Sequence, residues 1–565
     1  MGALLELVCV GLFSAAFWTL WTVVQRVFGK SHLDNIPGPR SQSFATGNLG
    51  QYLARNGWAY QQWLHNEYGP VVKLNGMFGT KVLYVYDPVA LSNIVVKDQY
   101  TYEEPQEFLH TMHLMLGDGL LATIGEQHRK QRKMLNPVFS INHMRHMTPI
   151  FYEISRKLRE AIGRRIKGGQ EEMDILDWMA RTALEVVGQA GLGCSFDPLI
   201  NDSADQYGQA IKAIAPTIGP LRLARMLLPL VMNIGSPKLR GWLFRLIPNK
   251  SIQRACEISD LLDEHSQRIF NEKKEAMEKG DNAVLHQIGE GKDILSKLSK
   301  PPIQVSYVRD IGKQRLIVQA NMTASEEDRL PDKELLGQMS TFIFAGMETT
   351  SGALAHILQL LSENPDVQHK LRAELLEAYG DADEIPYDQL VELPYLDAVC
   401  RETMRLCVFL PFLFREARKD IVMPLSAPLR GVDGTLMHEI LVPKDTKVLL
   451  GLHACNCNPA LWGLDAAEWK PERWLAPLPE TLTDAHIPGV YSHLMSFLGG
   501  GRACIGFKFS QLEMKVVLAT LLSSFTFAPS QRKIVWNVGG IQYPTVGLSS
   551  AKAEVPMKIG FVKTT

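Results

Sequence analysis

The chain lacks a net charge of either sign, a disulfide framework, and any low-complexity tract or internal repeat. Its 59 basic residues are nearly balanced by 60 acidic ones, and the formal net charge of −1 gives no reason to expect nucleic-acid binding. Eight cysteines in 565 residues form no CxxC pair, which argues against a disulfide scaffold and favours a reducing compartment. The CxC pair Cys455 and Cys457 has no second ligand pair nearby, so it does not indicate a zinc site.

Long uncharged runs are also scarce, but one lies at the N-terminus. Residues 7–24 are 18 uncharged, mostly apolar residues, which meets the lower length needed to cross a bilayer. Basic residues follow this run, so the positive-inside bias places the bulk of the chain in the cytosol. We predict a membrane anchor over residues 1–30, a proline-rich hinge over 31–45 and one large domain over 46–565. An ordinary buried helix is the alternative for residues 7–24.

Helical periodicity predominates in the large domain. The spacing of apolar residues predicts helices over about 143–166, 173–191, 253–279, 332–362, 365–379 and 387–408. Runs rich in β-branched and aromatic residues predict a hairpin from strands over 71–74 and 81–87, and further short strands near 436–450 and close to the C-terminus. The sequence therefore predicts a mostly α fold with a minor β portion.

The stretch F-L-G-G-G-R-A-C-I-G, residues 497–506, sets one cysteine among four glycines where a helix is about to start. Orphan N–H groups and the positive end of the helix dipole favour a thiolate at Cys504. Such a thiolate suits a redox nucleophile or a metal ligand. The alternative is that Cys504 is a small buried apolar residue.

A second motif, A-G-M-E-T, lies in the middle of the long apolar helix predicted between Pro331 and Pro365. Glu348 and Thr349 place a carboxyl and a hydroxyl in this helix, and a buried carboxylate is costly unless it is paired or functional. The alternative is a kinked helix with Glu348 facing solvent.

Two further segments carry charged residues at helical spacing. Glu402 and Arg405 are three positions apart, and sharing Glu402 between Arg405 and the later Arg473 would form a buried network. His128 and Arg132 are four positions apart and share a face, which could bind carboxylates or form a solvated basic surface.

Together these motifs resemble the cytochrome P450 family. Residues 497–506 match its haem-binding signature F-x-x-G-x-R-x-C-x-G, and residues 345–349 match A-G-x-[DE]-T of its central helix. Residues 402–405 match E-x-x-R and residues 471–474 match P-E-R-[FW], in the family's order. The resemblance covers essentially the whole chain and is closest to fungal microsomal members. It implies the cytochrome P450 fold, with a single catalytic domain preceded by an N-terminal transmembrane helix.

The resemblance implies haem b, iron protoporphyrin IX, with Cys504 as the axial thiolate ligand of the iron. It also implies that Phe497 packs over the proximal face of the haem. The loop glycines, Gly506 among them, would let the loop lie against the porphyrin.

The same resemblance assigns partners to the two haem propionates. Arg502 is the first of them, and Arg415 is a further candidate by position. His128 stands where most members have tryptophan, and its ring nitrogen can still donate to a propionate, with Arg132 beside it. Buried propionates need such neutralisation.

On the other side of the haem, the resemblance makes Glu348 and Thr349 a proton relay and has Gly346 open a groove in the helix for dioxygen. The implied reaction is oxidation of a lipophilic small molecule with O2, the natural guess being a terpenoid or other secondary metabolite. Because no flavin or dinucleotide motif is visible, electrons are expected from an NADPH-cytochrome P450 reductase in the endoplasmic reticulum membrane.

Other readings stay open at this stage. The chain could act on fatty acids or xenobiotics, it could bind haem in a membrane without turnover, or it could use the fold for peroxide-driven or isomerase chemistry. Residues 297–322 are longer than expected before the central helix, which suggests an insertion around 300–317 or a gene-model artefact. The apolar segments about 105–120, 205–230, 408–415 and 538–548 are the expected substrate contacts.

Overall fold

The computed structural model describes residues 29, 31–197, 199, 206–278 and 329–562. The predicted anchor over residues 7–24 and the predicted insertion around 300–317 lie outside these residues. Of the helices within the described ranges, none combines the length and hydropathy that a membrane span requires. The described part is mostly helical with small sheets, as the hydrophobic periodicity predicts.

The α-helices are numbered in chain order. They are α1 (Leu49–Tyr52), α2 (Trp58–Tyr68), α3 (Pro88–Ser92), α4 (Gln106–Leu116), α5 (Gly125–Leu135), α6 (Ile141–Lys167), α7 (Ile175–Val186), α8 (Gln206–Ile218), α9 (Arg222–Arg225), α10 (Leu228–Val231), α11 (Pro237–Leu246), α12 (Lys250–Glu278), α13 (Asp332–Glu363), α14 (Pro365–Tyr379), α15 (Tyr387–Glu392), α16 (Pro394–Leu406), α17 (Leu452–Asn456), α18 (Pro459–Trp462), α19 (Glu480–Asp484) and α20 (Phe507–Leu522).

The strands are numbered in the same way. They are β1 (Val71–Asn75), β2 (Lys81–Val85), β3 (Tyr102–Glu103), β4 (Glu172–Asp174), β5 (Leu413–Ala417), β6 (Ile421–Arg430), β7 (Leu436–Val442), β8 (Lys447–Leu450), β9 (Phe525–Pro529), β10 (Ile534–Val538), β11 (Gln542–Val546) and β12 (Pro556–Phe561).

The largest sheet of the described chain has the order β1-β2-β8-β5-β3. Its hairpin β1–β2 is antiparallel, with Val71 opposite Val85, whereas β2 and β8 run parallel. The short edge strand β3 pairs with β5 and sets Tyr102 opposite Ala417. This pairing brings the residues that follow β3 beside β5, although they are more than 300 positions apart in the chain.

Helix α13 is the centre of the helical part. It packs along α7 and contacts α12, α16 and α20. Leu354, Ala355 and Ile357 point to different sides of the helix and are all fully buried, so this helix is enclosed on more than one side. Pro365 ends it, because proline cannot continue the hydrogen-bonded helix and instead begins α14.

Some predicted elements differ in detail from those observed. The helix predicted over 387–408 is divided into α15 and α16, because Leu393 is extended and Pro394 starts a new helix. The segments predicted as substrate-contact loops over 105–120 and 205–230 are largely helical, forming α4, α8, α9 and α10.

Candidate active site

The cysteine loop joins a short 3₁₀ turn, Gly500–Arg502, to helix α20. The backbone N–H of Cys504 donates to the carbonyl oxygen of Phe497 at 2.9 Å, which closes the loop on itself. The Phe497 ring packs against Phe507 with the ring centroids 6.2 Å apart. The loop therefore presents Cys504 from a fixed position just before the helix begins.

Two glycines of this loop are required by contacts within the protein. A Cβ at Gly499 would lie 1.9 Å from the Pro488 carbonyl oxygen, and one at Gly500 would lie 1.8 Å from that of Val95. These glycines are therefore required by close packing on neighbouring protein backbone. Gly506 differs, because a Cβ there would meet nothing closer than an aromatic carbon at 4.0 Å.

Cys504 combines two properties that rarely occur together. Its side chain is exposed, yet it lies deep enough in the protein for burial to raise the pKa of its thiol. A side chain that is enclosed by protein but still has accessible surface lines an internal space. The Gly506 N–H and the charge of Arg132 both lower the pKa, in the direction expected at the start of a helix, but burial outweighs them.

Aromatic contacts connect the cysteine loop to the central helix. The Phe139 ring is the nearest group to Gly506 and also lies 5.4 Å, centroid to centroid, from Phe342 of α13. Thr349 follows Phe342 by seven residues and so lies on the same face of the helix, two turns further along. Along this face, Ala345 and Thr349 are only partly buried, although α13 runs through the core. The partly exposed residues of α13 therefore lie on the face of the helix that Phe139 contacts, and Phe139 also lies next to the cysteine loop.

In the A-G-M-E-T motif, Thr349 and Glu348 interact with different neighbours. The Thr349 hydroxyl donates to the Ala345 carbonyl oxygen at 2.7 Å, which leaves its lone pairs free to accept. Burial raises the pKa of Glu348, and the charge of Lys212 partly offsets this rise. Lys212 on α8 donates to Asp177 at 2.8 Å. Sequence analysis did not identify Lys212, since its position beside the acid depends on how α8 packs.

Gly346 packs against a neighbouring turn of the protein. A Cβ at Gly346 would lie 2.6 Å from Cγ2 of Val187, which belongs to the π-helical turn after α7. The glycine therefore permits α13 and this turn to pack closely. The groove for dioxygen at this glycine stays a prediction.

Arg132 and His128 project from α5 toward the cysteine loop. Arg132 donates through Nη1 to the carbonyl oxygen of Ala503, which directly precedes Cys504. His128 is 7% exposed, and burial together with the charge of Arg502 lowers its pKa to about 3. The imidazole is therefore neutral at physiological pH and can donate one N–H.

Arg502 and Arg415 belong to the same cluster of charges. Arg502 donates to the Thr123 carbonyl oxygen at 2.8 Å and to Glu103 at 3.1 Å. Both Arg502 and Arg415 form ion pairs with Glu104, at 2.9 Å and 3.4 Å. The structure thus brings together the four predicted propionate partners, and it adds two buried carboxylates that no motif indicated.

The E-x-x-R residues form the shared network that the sequence permits. The fully buried Glu402 accepts two bonds from Arg405, at 2.9 Å and 2.8 Å, and one from the Trp474 indole N–H at 3.0 Å. Arg473 lies 3.4 Å from the same carboxylate. Arg405 also donates to three backbone carbonyl oxygens of the 456–468 segment. The network therefore ties α16 to the segment around residues 456–474.

The chemistry of these side chains fits a haem with a thiolate ligand. The site offers one enclosed and accessible thiol, and cationic donors on both sides of its loop. Within residues 31–197, 206–278 and 329–562, no group of three or more His, Cys, Asp or Glu side chains could hold a metal by itself. An iron at Cys504 would therefore take its remaining ligands from a cofactor.

Comparison with known proteins gives one consistent result. The family model described as Cytochrome P450 matches residues 37–540. The chain is 62% identical over 562 residues to Cytochrome P450 monooxygenase 91 of Postia placenta, covering 100% of both chains. It is 46% identical over 556 residues to Cytochrome P450 monooxygenase 219 of the same fungus, covering 97% of this chain and 98% of the relative. It is 48% identical over 563 residues to Ganoderic acid synthetase CYP5150L8 of Ganoderma lucidum, covering 98% of each.

Proposed function

This chain belongs to the cytochrome P450 family of monooxygenases, and on that premise we propose that it oxidises a lipophilic secondary metabolite, with a terpenoid as the substrate class. The family implies a haem-thiolate cofactor and the use of O2. The observation that carries the proposal is the Cys504 thiol, which is exposed yet enclosed by protein. A relative named for ganoderic acid synthesis supports the assignment to secondary metabolism.

In this proposal Cys504 holds the haem iron through its sulfur. The Gly506 N–H donates to that sulfur and moderates its electron density. Phe497, at the start of the loop, would pack over the same face of the haem as Cys504. When bound, the haem supplies the activation of O2 that no side chain can provide.

The propionates would be bound by the basic residues around the loop. Arg132 and Arg502 flank Cys504, and Arg415 reaches the same cluster from β5. The neutral His128 would add one N–H donor. Such paired, charge-assisted hydrogen bonds compensate the cost of burying carboxylates.

Glu348 and Thr349 would handle protons on the central helix. Because burial raises its pKa, Glu348 holds a proton to a higher pH than an ordinary carboxyl group. Thr349 has committed its own proton to Ala345, so its oxygen acts as an acceptor that orients a water molecule. Lys212 and Asp177 extend from Glu348 toward partly exposed positions, which gives the acid a route for reprotonation.

We further propose that the protein is held at the endoplasmic reticulum membrane by residues 1–30 and receives electrons there from an NADPH-cytochrome P450 reductase. A surface feature supports membrane contact. Residues 206–256 contain eight lysines and arginines and no aspartate or glutamate. Three of these cations, Lys212, Arg245 and Arg254, form ion pairs with acids outside the segment, which leaves five to give it basic character. Exposed apolar side chains lie in the same segment, namely Leu223, Leu227, Leu230, Ile234, Leu239, Trp242, Leu243, Leu246 and Ile247. A basic, apolar surface of this kind suits anionic lipid.

The function is tested with the full chain expressed in microsomes. Reduced, carbon monoxide-treated protein should show the absorption shift of thiolate-ligated haem, and Cys504→Ala should abolish it. With reductase, NADPH and a panel of terpenoids, one class should give an oxygenated product. Haem binding without NADPH-dependent product from any lipophilic class would contradict the monooxygenase proposal and favour a carrier or sensor.

Membrane contact is tested separately with a chain that begins at residue 29. This shortened chain should sediment with vesicles containing phosphatidylserine and should not sediment with neutral vesicles. Leu230→Asp should weaken that binding. Equal recovery with both kinds of vesicle would remove the argument from charge.

A further inference from the structure

Two adjacent carboxylates lie inside the cluster of arginines that the cysteine loop contributes to. Glu103 is 5% exposed and Glu104 is 9% exposed. Glu103 ends the edge strand β3 and Glu104 directly follows it, and the pairing of β3 with β5 brings both next to Arg415. Two adjacent buried acids are costly unless cations surround them, so the arginines of this cluster are what allows Glu103 and Glu104 to be buried as charged groups.

Glu104 is the carboxylate that joins two of the arginines. Its Oε2 lies 2.9 Å from Nη2 of Arg502, and its Oε1 lies 3.4 Å from Nη2 of Arg415. Glu103 contacts Arg502 alone, at 3.1 Å. Glu104 therefore lies between a guanidinium of the cysteine loop and a guanidinium of the sheet.

Glu104 carries a full negative charge in this position. Burial by itself would raise its pKa, but the neighbouring Arg415 and Arg502 outweigh burial, and the net effect is a lowered pKa. With Arg132, Arg415 and Arg502 on one side and the two acids on the other, the cluster keeps a single net positive charge. Two haem propionates bring two negative charges, so the loaded site holds an excess of negative charge at the edge of the porphyrin.

We propose that Glu104 is a positioning residue for the haem, holding Arg415 and Arg502 in place for the propionates and contributing a fixed negative charge that disfavours reduction of the iron. This inference rests on the proposed haem-thiolate function. Reduction removes one positive charge from the iron, and a nearby carboxylate stabilises the oxidised state more than the reduced one. Glu104 thereby opposes electron entry, which is the step that a reductase must drive.

A structural role of Glu104 makes different predictions. The backbone carbonyl oxygen of Glu104 accepts a bond from Arg418, and that bond does not involve the side chain. Glu104→Gln keeps the shape and the capacity to accept hydrogen bonds but removes the charge. Glu104→Asp keeps the charge on a shorter side chain. If the charge matters, Glu104→Gln makes the haem iron easier to reduce, whereas Glu104→Asp leaves its reduction close to that of the wild type.

The test is a spectroelectrochemical titration of the full-length, haem-loaded protein without substrate. Glu104→Gln should raise the reduced-to-oxidised ratio at a fixed applied potential on the order of three- to tenfold. Glu104→Asp should stay close to wild type. Glu107→Gln is the control, because Glu107 is close in sequence but pairs with Lys447 instead of the cluster. It should leave the ratio unchanged.

The outcomes separate the inference from the proposed function. A folded, haem-loaded Glu104→Gln protein with an unchanged ratio would overturn the inference, as would an equal shift in Glu104→Asp. If Glu104→Gln fails to load haem, Glu103→Gln replaces it and should give a smaller shift in the same direction, and no shift would again overturn the inference. Wild-type protein that binds no haem would overturn the proposed function and this inference with it.

Discussion

Arg405→Met is expected to destabilise the protein strongly, because Arg405 satisfies a buried carboxylate, two carbonyl groups in buried bonds and a third that is partly buried. Arg405 and Glu402 are both fully buried. Arg405 donates two bonds to Glu402 and one each to the carbonyl oxygens of Asn456, Ala466 and Glu468. Methionine keeps most of the side-chain volume but supplies none of these donors.

The magnitude follows from what the substitution leaves behind. Breaking a buried ion pair by removing one partner costs about 3–5 kcal/mol, since the remaining charge is left uncompensated. Glu402 keeps the Trp474 indole N–H, the Lys470 backbone N–H and the more distant Arg473, which limits this cost. The three carbonyl oxygens lose their donor, each at about 1–3 kcal/mol if left unsatisfied. We therefore expect a loss of at least about 3 kcal/mol in the free energy of unfolding.

A surface ion pair provides the matched control. Arg145 and Asp388 also form a bidentate pair, with bonds of 3.0, 3.0 and 2.8 Å, but their side chains are 47% and 64% exposed. Arg145→Met should cost at most about 1 kcal/mol. Guanidinium titrations of both variants, followed by tryptophan fluorescence and circular dichroism, give the comparison. Equal losses in the two variants would refute the argument that burial makes the Glu402 network decisive.

Three further predictions follow from individual contacts. If Glu348 delivers protons, NADPH-dependent product formation should fall as the pH rises through the raised pKa of Glu348. Lys212→Met removes the charge that lowers this pKa, so it should move the fall in activity to higher pH. An unchanged pH profile in Lys212→Met would exclude the relay. Gly346→Ala should cost about 1–3 kcal/mol by overpacking against Val187, and Val187→Ala should relieve most of it in the double variant; a neutral Gly346→Ala would show that the contact adjusts freely. Glu513 is fully buried with both carboxyl oxygens unpartnered among the described residues, and its pKa is raised, so folding increasingly requires a bound proton as pH rises above the unfolded pKa. Glu513→Gln should therefore stabilise the fold more at about pH 8 than at about pH 5, and a stability gain independent of pH would contradict this account.

Much of the site could be predicted because its residues are close in sequence. Cys504 and its loop lie within ten consecutive residues, and Glu348 and Thr349 lie on one helix whose periodicity is plain. The Glu402 network was indicated by the i, i+3 spacing of Glu402 and Arg405. In these cases local geometry determines which side chains can meet.

The rest depends on contacts between distant parts of the chain. The bond between Arg502 and Glu103 joins residues 399 positions apart, so it depends on how the cysteine loop packs against the end of β3. A pair of acids before a proline carries no periodic signal that would distinguish it from an exposed loop. Lys212 was missed for the same reason, because its proximity to Glu348 follows from the packing of α8 on α13.

The glycines carry a packing requirement that the motifs alone do not reveal. Gly346 and Gly500 are fixed positions of the matching patterns and Gly499 is a variable one, and a Cβ at each would strike neighbouring protein atoms at 2.6 Å or less. They are required for the chain to pack on itself, and that packing holds the remaining residues of the motif in position. Cys504 and Thr349 instead keep accessible side-chain surface within the interior. Within one motif, some positions serve packing and others are available for chemistry. Which is which depends on what each residue faces in the folded structure, and the sequence does not contain that information directly.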